Sequence, residues 1–165
     1  MRKEYSFFSK SSNQDFLISY YLLLRYYFYQ KKHNKKIKNS LFGKKYLKYI
    51  KTNLKITDDW FTHNLNNLNY VFEKYELYKK KINALEIGSY EGNSSVFFLK
   101  YFLNLNLTCV DTFRGSAEHK DKTFTKAYKN FIFNTKKYKK RLRLFKTQSD
   151  NFFKNINKAK YDLIY

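Results

Sequence analysis

Asp111 can accept two hydrogen bonds from a vicinal diol, and a ribose offers one. Upstream of it lies a short polar turn, Ser89-Tyr90-Glu91, bracketed by Gly88 and Gly92. Gly88 suits a chain leaving a strand at a backbone angle that a Cβ resists. Gly92 suits a close approach of backbone to a ligand at a helix start. Asn93, Ser94 and Ser95 are short polar residues of the kind that cap exposed N–H groups there. Glu86 stands just before the turn. Together these residue types describe a pocket for a nucleoside.

The flanking sequence supplies the elements that would hold them. Ile82 to Ile87 and Leu105 to Val110 are short apolar runs that read as strands. Val96 to Leu103 is an apolar helical run between them. Two parallel strands need such a crossover, so the stretch reads as a βαβ unit. The turn then lies at the carboxyl end of the first strand and Asp111 at the tip of its neighbour.

The spacing within the turn separates two nucleotide classes. A dinucleotide site calls for G-x-G-x-x-G. Here Glu86-Ile87-Gly88-Ser89-Tyr90-Glu91-Gly92-Asn93-Ser94 lacks the third glycine, which disfavours a nicotinamide oxidoreductase. Glu91 is also expected to repel a diphosphate lying on the turn. The string resembles motif I of class I S-adenosylmethionine (SAM)-dependent methyltransferases, in the small-molecule O-methyltransferase branch, where it reads E-[IL]-G-x-[YF]-x-G-x-S. Val110 to His119, VDTFRGSAEH, resembles a segment of a bacterial branch of that superfamily. Asp58-Trp60-Phe61-Thr62-His63-Asn64 resembles the segment that precedes motif I in the same branch.

The resemblance implies SAM as cofactor and a role for each residue. Gly88 and Gly92 cradle the methionine portion, and Ser89, Tyr90 and Ser94 belong to the same cofactor-binding set. Glu86 orients the loop or the ligand's amino group, and Asp111 holds the ribose hydroxyls. Ser149 matches the serine of a Gly-x-Ser that contacts adenine, although Thr147 stands where the family has glycine. No residue is assigned as the catalytic base. His119, beside Glu118, could serve as one, but a surface hydrogen bond to Glu118 is the plainer reading. His33 and His63 have no metal-ligand spacing with it or with Cys109.

Composition bounds the rest. The 165 residues allow one ordinary domain, or a small domain plus an appendage. Phe and Tyr number 17 each and proline is absent. Lys, Asn, Ile, Phe and Tyr all have AT-rich codons, so genome composition accounts for much of this bias. The net charge of +21 attracts polyanions of any kind. Only five of the 34 basic residues are arginine, which favours a generic positive surface over base readout. Cys109 is the sole cysteine and reads as a buried hydrophobe, consistent with a reducing cytoplasm. No secretory signal pattern opens the chain.

The organisation expected is a basic, aromatic-rich helical extension over 1–54 and the SAM-binding half of a methyltransferase domain over 55–165. Residues 16–29, FLISYYLLLRYYFY, are too short to span a bilayer and read as a buried helix, or as one lying at a membrane interface. Residues 31–55 hold ten lysines and no acid, which suits a solvated face, an anionic membrane or single-stranded nucleic acid. Gly43 is expected to break two helices there. Leu68, Val71, Phe72, Tyr75 and Tyr78 recur at helical spacing and read as a core-facing helix, with Lys79-Lys80-Lys81 at its end. Phe124, Ala127, Tyr128, Phe131 and Ile132 mark another. Residues 141–146 alternate as a third strand, Phe152, Phe153 and Ile156 mark a short helix, and residues 161–165 begin a fourth strand.

In the resembling family the fourth strand reads FDLIYIDGSH. Asp162 matches its first aspartate, and the second, often a divalent-metal ligand, falls beyond Tyr165. A metal is therefore implied only together with a C-terminal continuation. The fold expected is α/β: a Rossmann-like class I methyltransferase sheet, truncated after the fourth strand, with a helical N-terminal extension. The function implied is O-methyl transfer to a small molecule or sugar in the cytoplasm, with the 31–55 stretch as a candidate anionic-surface contact. The rival class is a non-catalytic basic module that binds nucleic acid or anionic membrane on a degenerate Rossmann-like scaffold.

Overall fold

The computed structural model describes residues 24, 25, 27, 28, 31, 41–115, 124–156 and 160–165. Helix α1 spans Leu41–Asn53 and α2 spans Leu65–Lys74. Strand β1 (Ile82–Ile87), helix α3 (Asn93–Tyr101) and strand β2 (Leu105–Val110) form the expected βαβ unit. Helix α4 (Phe124–Thr135), strand β3 (Leu142–Phe145), helix α5 (Ser149–Asn155) and strand β4 (Leu163–Ile164) follow.

The four strands make one parallel sheet in the order β3-β2-β1-β4. Ile82 pairs with Leu105 and Ile87 with Val110, so the tips of β1 and β2 are level. The winding direction reverses at β1, because β2 and β3 lie to one side of it and β4 to the other. Open parallel sheets place their ligand crevice at such a reversal, outside the carboxyl ends of the strands.

Strand alternation sends Ala84 and Glu86 of β1, and Leu107 and Cys109 of β2, to one face. That face is packed by α3 and α4 through Phe97, Phe98, Ala127 and Phe131, all buried. The opposite face carries a smaller cluster of Leu85, Val110 and Phe152. Phe145 and Ile164 remain exposed beside it.

The interior differs from the sequence reading in four places. Gly43 does not break a helix: it is buried inside α1, near an end where glycine's propensity cost is tolerable. The division expected after residue 54 runs through one packed core. Tyr46 of α1 is fully buried, and its ring meets Phe97 at 5.2 Å and Phe61 at 6.2 Å. Helix α2 stops at Lys74, where Glu76 takes a left-handed φ of 50° before a single 3-10 turn, Leu77–Lys79. Phe72 is buried as expected, but Val71 and Tyr75 face outward. Finally, Arg141 is not part of β3. Its guanidinium caps the end of α3, donating to the carbonyls of Leu99, Phe102, Leu103 and Leu105 at 2.5, 2.8, 3.1 and 3.3 Å.

Of the aromatic run 16–29, Leu24, Arg25, Tyr27 and Phe28 are described; they are helical and exposed. The readings of the rest of that run lie outside the described residues, as do those of His33, Glu118 and His119. Among the described residues no helix is long and apolar enough to cross a membrane. No group of three or more His, Cys, Asp or Glu there could hold a metal ion.

Candidate cofactor site

Strand β1 ends at Ile87, and Gly88 turns the chain with φ +84°. Its N–H donates to the Val110 carbonyl at 2.9 Å, so the bend starts while still tied to β2. A Cβ built on Gly88 meets no atom within 4 Å. Gly92, φ +79°, differs. A Cβ there would meet Phe131 Cδ2 at 3.0 Å and Thr135 Cγ2 at 3.3 Å. Gly88 therefore faces open space, whereas Gly92 lets α3 start hard against α4. Tyr90, between them, holds φ 46°, a strained value for a residue with a Cβ.

Asp111 lies in this bend. Its Oδ2 accepts from Tyr90 N at 2.7 Å and its Oδ1 from Phe113 N at 2.6 Å. Each oxygen keeps a second lone pair, and the residue is half-buried with access to solvent. The sequence expectation that Asp111 meets the glycine turn is thus a matter of direct hydrogen bonding.

Glu86 is fully buried beneath the turn. Ser94 and Ser95 donate their hydroxyls to its two oxygens, and Cys109 Sγ lies 3.2 Å from Oε2. Burial raises its pKa above the usual carboxylate value, and the serine and cysteine hydrogen bonds oppose that shift. Burial also pushes the Cys109 thiol well up. The serines thus do not cap α3. Gly92 is the N-cap residue and no side chain caps the helix. Ser89 Oγ is buried near Glu86 and Cys109 but lacks a hydrogen bond of ordinary geometry.

Glu91 borders the smaller hollow, but its carboxylate is taken up by neighbouring donors. It is 1% exposed and accepts from Thr57 N at 2.5 Å, Thr57 Oγ1 at 2.8 Å and Asn130 Nδ2 at 2.7 Å. Its partners are neutral donors, so the carboxylate's charge stays at the turn, next to the missing third glycine. Glu91 also pins the segment before α2. Asn93 adds a second tie, receiving Tyr46 OH at its carbonyl (2.6 Å) and donating Nδ2 to Asp59 Oδ1 at 3.0 Å. Trp60 stacks on Tyr90 at 4.9 Å and 11°.

Two hollows flank Asp111 at the strand ends. One, about 100 Å³, lies between the turn and residues 58–61 and includes Gly88, Ser89, Tyr90 and Ser94 in its lining, with Tyr165 beside them. The other, about 590 Å³, is lined by Thr112, Arg114, Gly115, Lys146, Thr147 and Gln148, together with Asn151. Ser149 starts α5 next to the second hollow without lining it. The structure therefore gathers Gly88, Ser89, Tyr90, Ser94 and Asp111 at one crevice. It sets Glu86 below that crevice, Gly92 behind it and Ser149 at its far side. A third hollow of about 330 Å³ lies at the opposite ends of the strands, among Asn83, Asn106 and Arg143.

The model of a family described as a methyltransferase domain matches residues 85–165. Those residues belong to a methyltransferase domain. This methyltransferase segment begins in β1 and takes in the glycine turn, Asp111 and β4. The match agrees with the resemblance to class I, SAM-dependent enzymes read from motif I. No curated relative matches the sequence.

Among solved structures, the chain is similar to a Staphylococcus aureus protein assigned as a caffeoyl-CoA O-methyltransferase. Identity is 20%, coverage 86% of this chain and 59% of that one, and the TM-score 0.44. A cyclopropane-fatty-acyl-phospholipid synthase-like protein from Lactobacillus casei gives 16%, 73%, 45% and 0.44. Coclaurine N-methyltransferase, bound to N-methylheliamine and SAH, gives 12%, 67%, 28% and 0.41. The chain spans less than two thirds of the length of each. At such distances they bear on neither residue roles nor substrate.

As a sequence, Thr57-Asp58-Asp59-Trp60 reads as a helix start or turn, and the Asp59 bonds from Phe61 N and Thr62 N bear this out. The tie of Asp59 to Asn93 and the contacts of Glu91 are not legible there. Both residues accept hydrogens that come within reach once the chain is folded. The resemblance around Asp58 and Trp60 was the one available signal that residues before β1 reach the turn.

Proposed function

We propose that the methyltransferase segment binds SAM across the two hollows and transfers its methyl group to an oxygen of a small molecule or sugar. When bound, SAM supplies an electrophilic methyl on a sulfonium. The observation that most supports the cofactor is the placement of Asp111. A carboxylate with free lone pairs is held within 2.7 Å of the turn's own backbone, beside a glycine whose missing Cβ leaves a cradle. An adenosyl group needs such a cradle and such an acceptor for its diol.

In this reading Asp111 holds the ribose hydroxyls, and Gly88, Ser89, Tyr90 and Ser94 enclose the aminoacyl end. The larger hollow, with Ser149 beyond it, receives the adenine. Glu86 acts from below, fixing Ser94 and Ser95. Gly92 acts by letting α3 pack on α4. The protein's task is then alignment and exclusion of water rather than activation of the donor. The O-methyl class follows from the motif I resemblance.

Isothermal titration of the full chain with S-adenosylhomocysteine (SAH), SAM and NAD tests the cofactor. Saturable binding of SAH and SAM with none of NAD is expected. A folded chain that binds neither SAH nor SAM overturns the proposal.

A further inference from the structure

We propose that Asp58 is the acceptor for the α-ammonium group of the bound cofactor's aminoacyl end, an assignment that rests on the SAM reading above. The carboxylates around the smaller hollow can be sorted by what already occupies them. Glu86 is buried and held by Ser94, Ser95 and Cys109. Glu91 accepts three hydrogens from Thr57 and Asn130. Asp59 accepts from the backbone of Phe61 and Thr62, from the Thr62 hydroxyl and from Asn93. Asp111 accepts from Tyr90 N and Phe113 N.

Asp58 differs from all four. It is exposed, it lines the hollow, and its one hydrogen bond is a long one, 3.4 Å from the Tyr90 hydroxyl. No described cation pairs with it. The ion pair among the described residues is Lys79 with Glu76, far along the chain. At the lip of a hollow, with its lone pairs almost unused, this carboxylate is placed for a cation that arrives with a ligand. Tyr90 is held neutral, its pKa raised to about 12 by burial and then by Glu91 and Asp58. Its hydroxyl can therefore orient Asp58 without competing as a charge.

The backbone around Asp58 is fixed from both sides. Thr57 is bound by Glu91, and Asp59 by Asn93, so the intervening side chain is aimed by residues of the glycine turn itself. The stack of Trp60 on Tyr90 closes the outer wall. A primary ammonium held at Asp58 would be shielded on that side. This gives the role suggested for Glu86 by sequence to a residue that the crevice can reach.

The test compares Asp58→Asn with the wild-type full chain, using two ligands. SAH carries the aminoacyl end, and 5′-methylthioadenosine lacks it. The variant should bind SAH about 10-fold to 100-fold more weakly, the range for a hydrogen bond to a charged group. Its affinity for 5′-methylthioadenosine should stay within about twofold of wild type. Asp58 accepts no backbone hydrogen, so thermal unfolding of the variant should match wild type. Equal losses for both ligands, or unchanged SAH affinity, overturn the assignment while leaving the cofactor reading intact. A wild-type chain that binds neither ligand overturns both.

Discussion

Gly88 and Gly92 have nearly the same backbone angle, yet the structure gives them opposite consequences. At φ +84° and +79°, an alanine pays the left-handed penalty at either site, about 1–2 kcal/mol. At Gly88 nothing else is added, because the new methyl meets no atom within 4 Å. At Gly92 the methyl meets Phe131 at 3.0 Å and Thr135 at 3.3 Å, and both are buried. Overpacking of that kind costs about 1–3 kcal/mol more. The expected losses are therefore about 1–2 kcal/mol for Gly88→Ala and about 2–5 kcal/mol for Gly92→Ala. With a urea m-value near 2 kcal/mol/M, the midpoints fall by roughly 0.5–1 M and 1–2.5 M.

Ligand affinity should run the other way. Gly88 lines the smaller hollow and Gly92 does not. A methyl at Gly88 takes space that the cofactor needs, so SAH affinity should fall about tenfold or more. Gly92→Ala, measured well below its unfolding midpoint, should bind SAH within about threefold of wild type. Urea unfolding followed by circular dichroism and calorimetry with SAH give the two numbers for each variant. The reasoning is refuted if Gly92→Ala is the more stable of the pair, or if Gly88→Ala loses stability while keeping full affinity.

Asp111→Ala should weaken both SAH and 5′-methylthioadenosine by about 10-fold to 100-fold, since both carry the ribose; calorimetry checks it, and unchanged affinity removes the diol role. Glu86→Gln should shift the pH dependence of stability. The folded pKa of Glu86 is raised, so its stabilising contribution is full below the unfolded value near 4.5 and is lost as pH rises through the folded value. The variant should therefore gain on wild type in urea midpoints as pH rises above about 4.5, and a constant difference counts against this. Arg141→Ala should cost about 2–3 kcal/mol, because four carbonyls between the last turn of α3 and the start of β2 lose a charged donor. Arg141→Lys should recover less than half of that in the same assay, since an ammonium cannot fork between them.

What the sequence disclosed followed from strong local signals. Strands β1 and β2 span the residues that apolar runs marked, and the glycines at 88 and 92 turn where turn chemistry required. Helix periodicity found α2 and α4 but overran α2, because Tyr75 and Tyr78 stay in phase with Phe72 although Glu76 adopts a left-handed angle. Nothing in a pattern of types distinguishes that break from continuation. Gly43 shows the reverse error, since a glycine reads as a stop whether or not the folded helix buries it. The partners of acidic residues were the least legible. Glu86, Glu91, Asp58 and Asp59 look alike as letters, and their differences arise from what the fold brings near each.

Those differences explain how a turn with three left-handed residues, Gly88, Tyr90 and Gly92, keeps one shape. Tyr90, at φ 46°, persists because its N–H is taken by Asp111 and its ring is covered by Trp60. Glu91 then fastens residue 57 to α4, through Thr57 and Asn130, and Asn134 of α4 donates to the Glu91 carbonyl at 2.8 Å. Glu86 ties β1 to the first turn of α3 from beneath. Buried carboxylates of this kind are costly unless their lone pairs are filled. Here they are filled by serine, threonine and asparagine rather than by any of the abundant lysines. A hydroxyl or amide satisfies the carboxylate without adding a charge. The crevice is therefore left with Asp58 and Asp111 as the carboxylates that still have room for a ligand, one at each side of Tyr90.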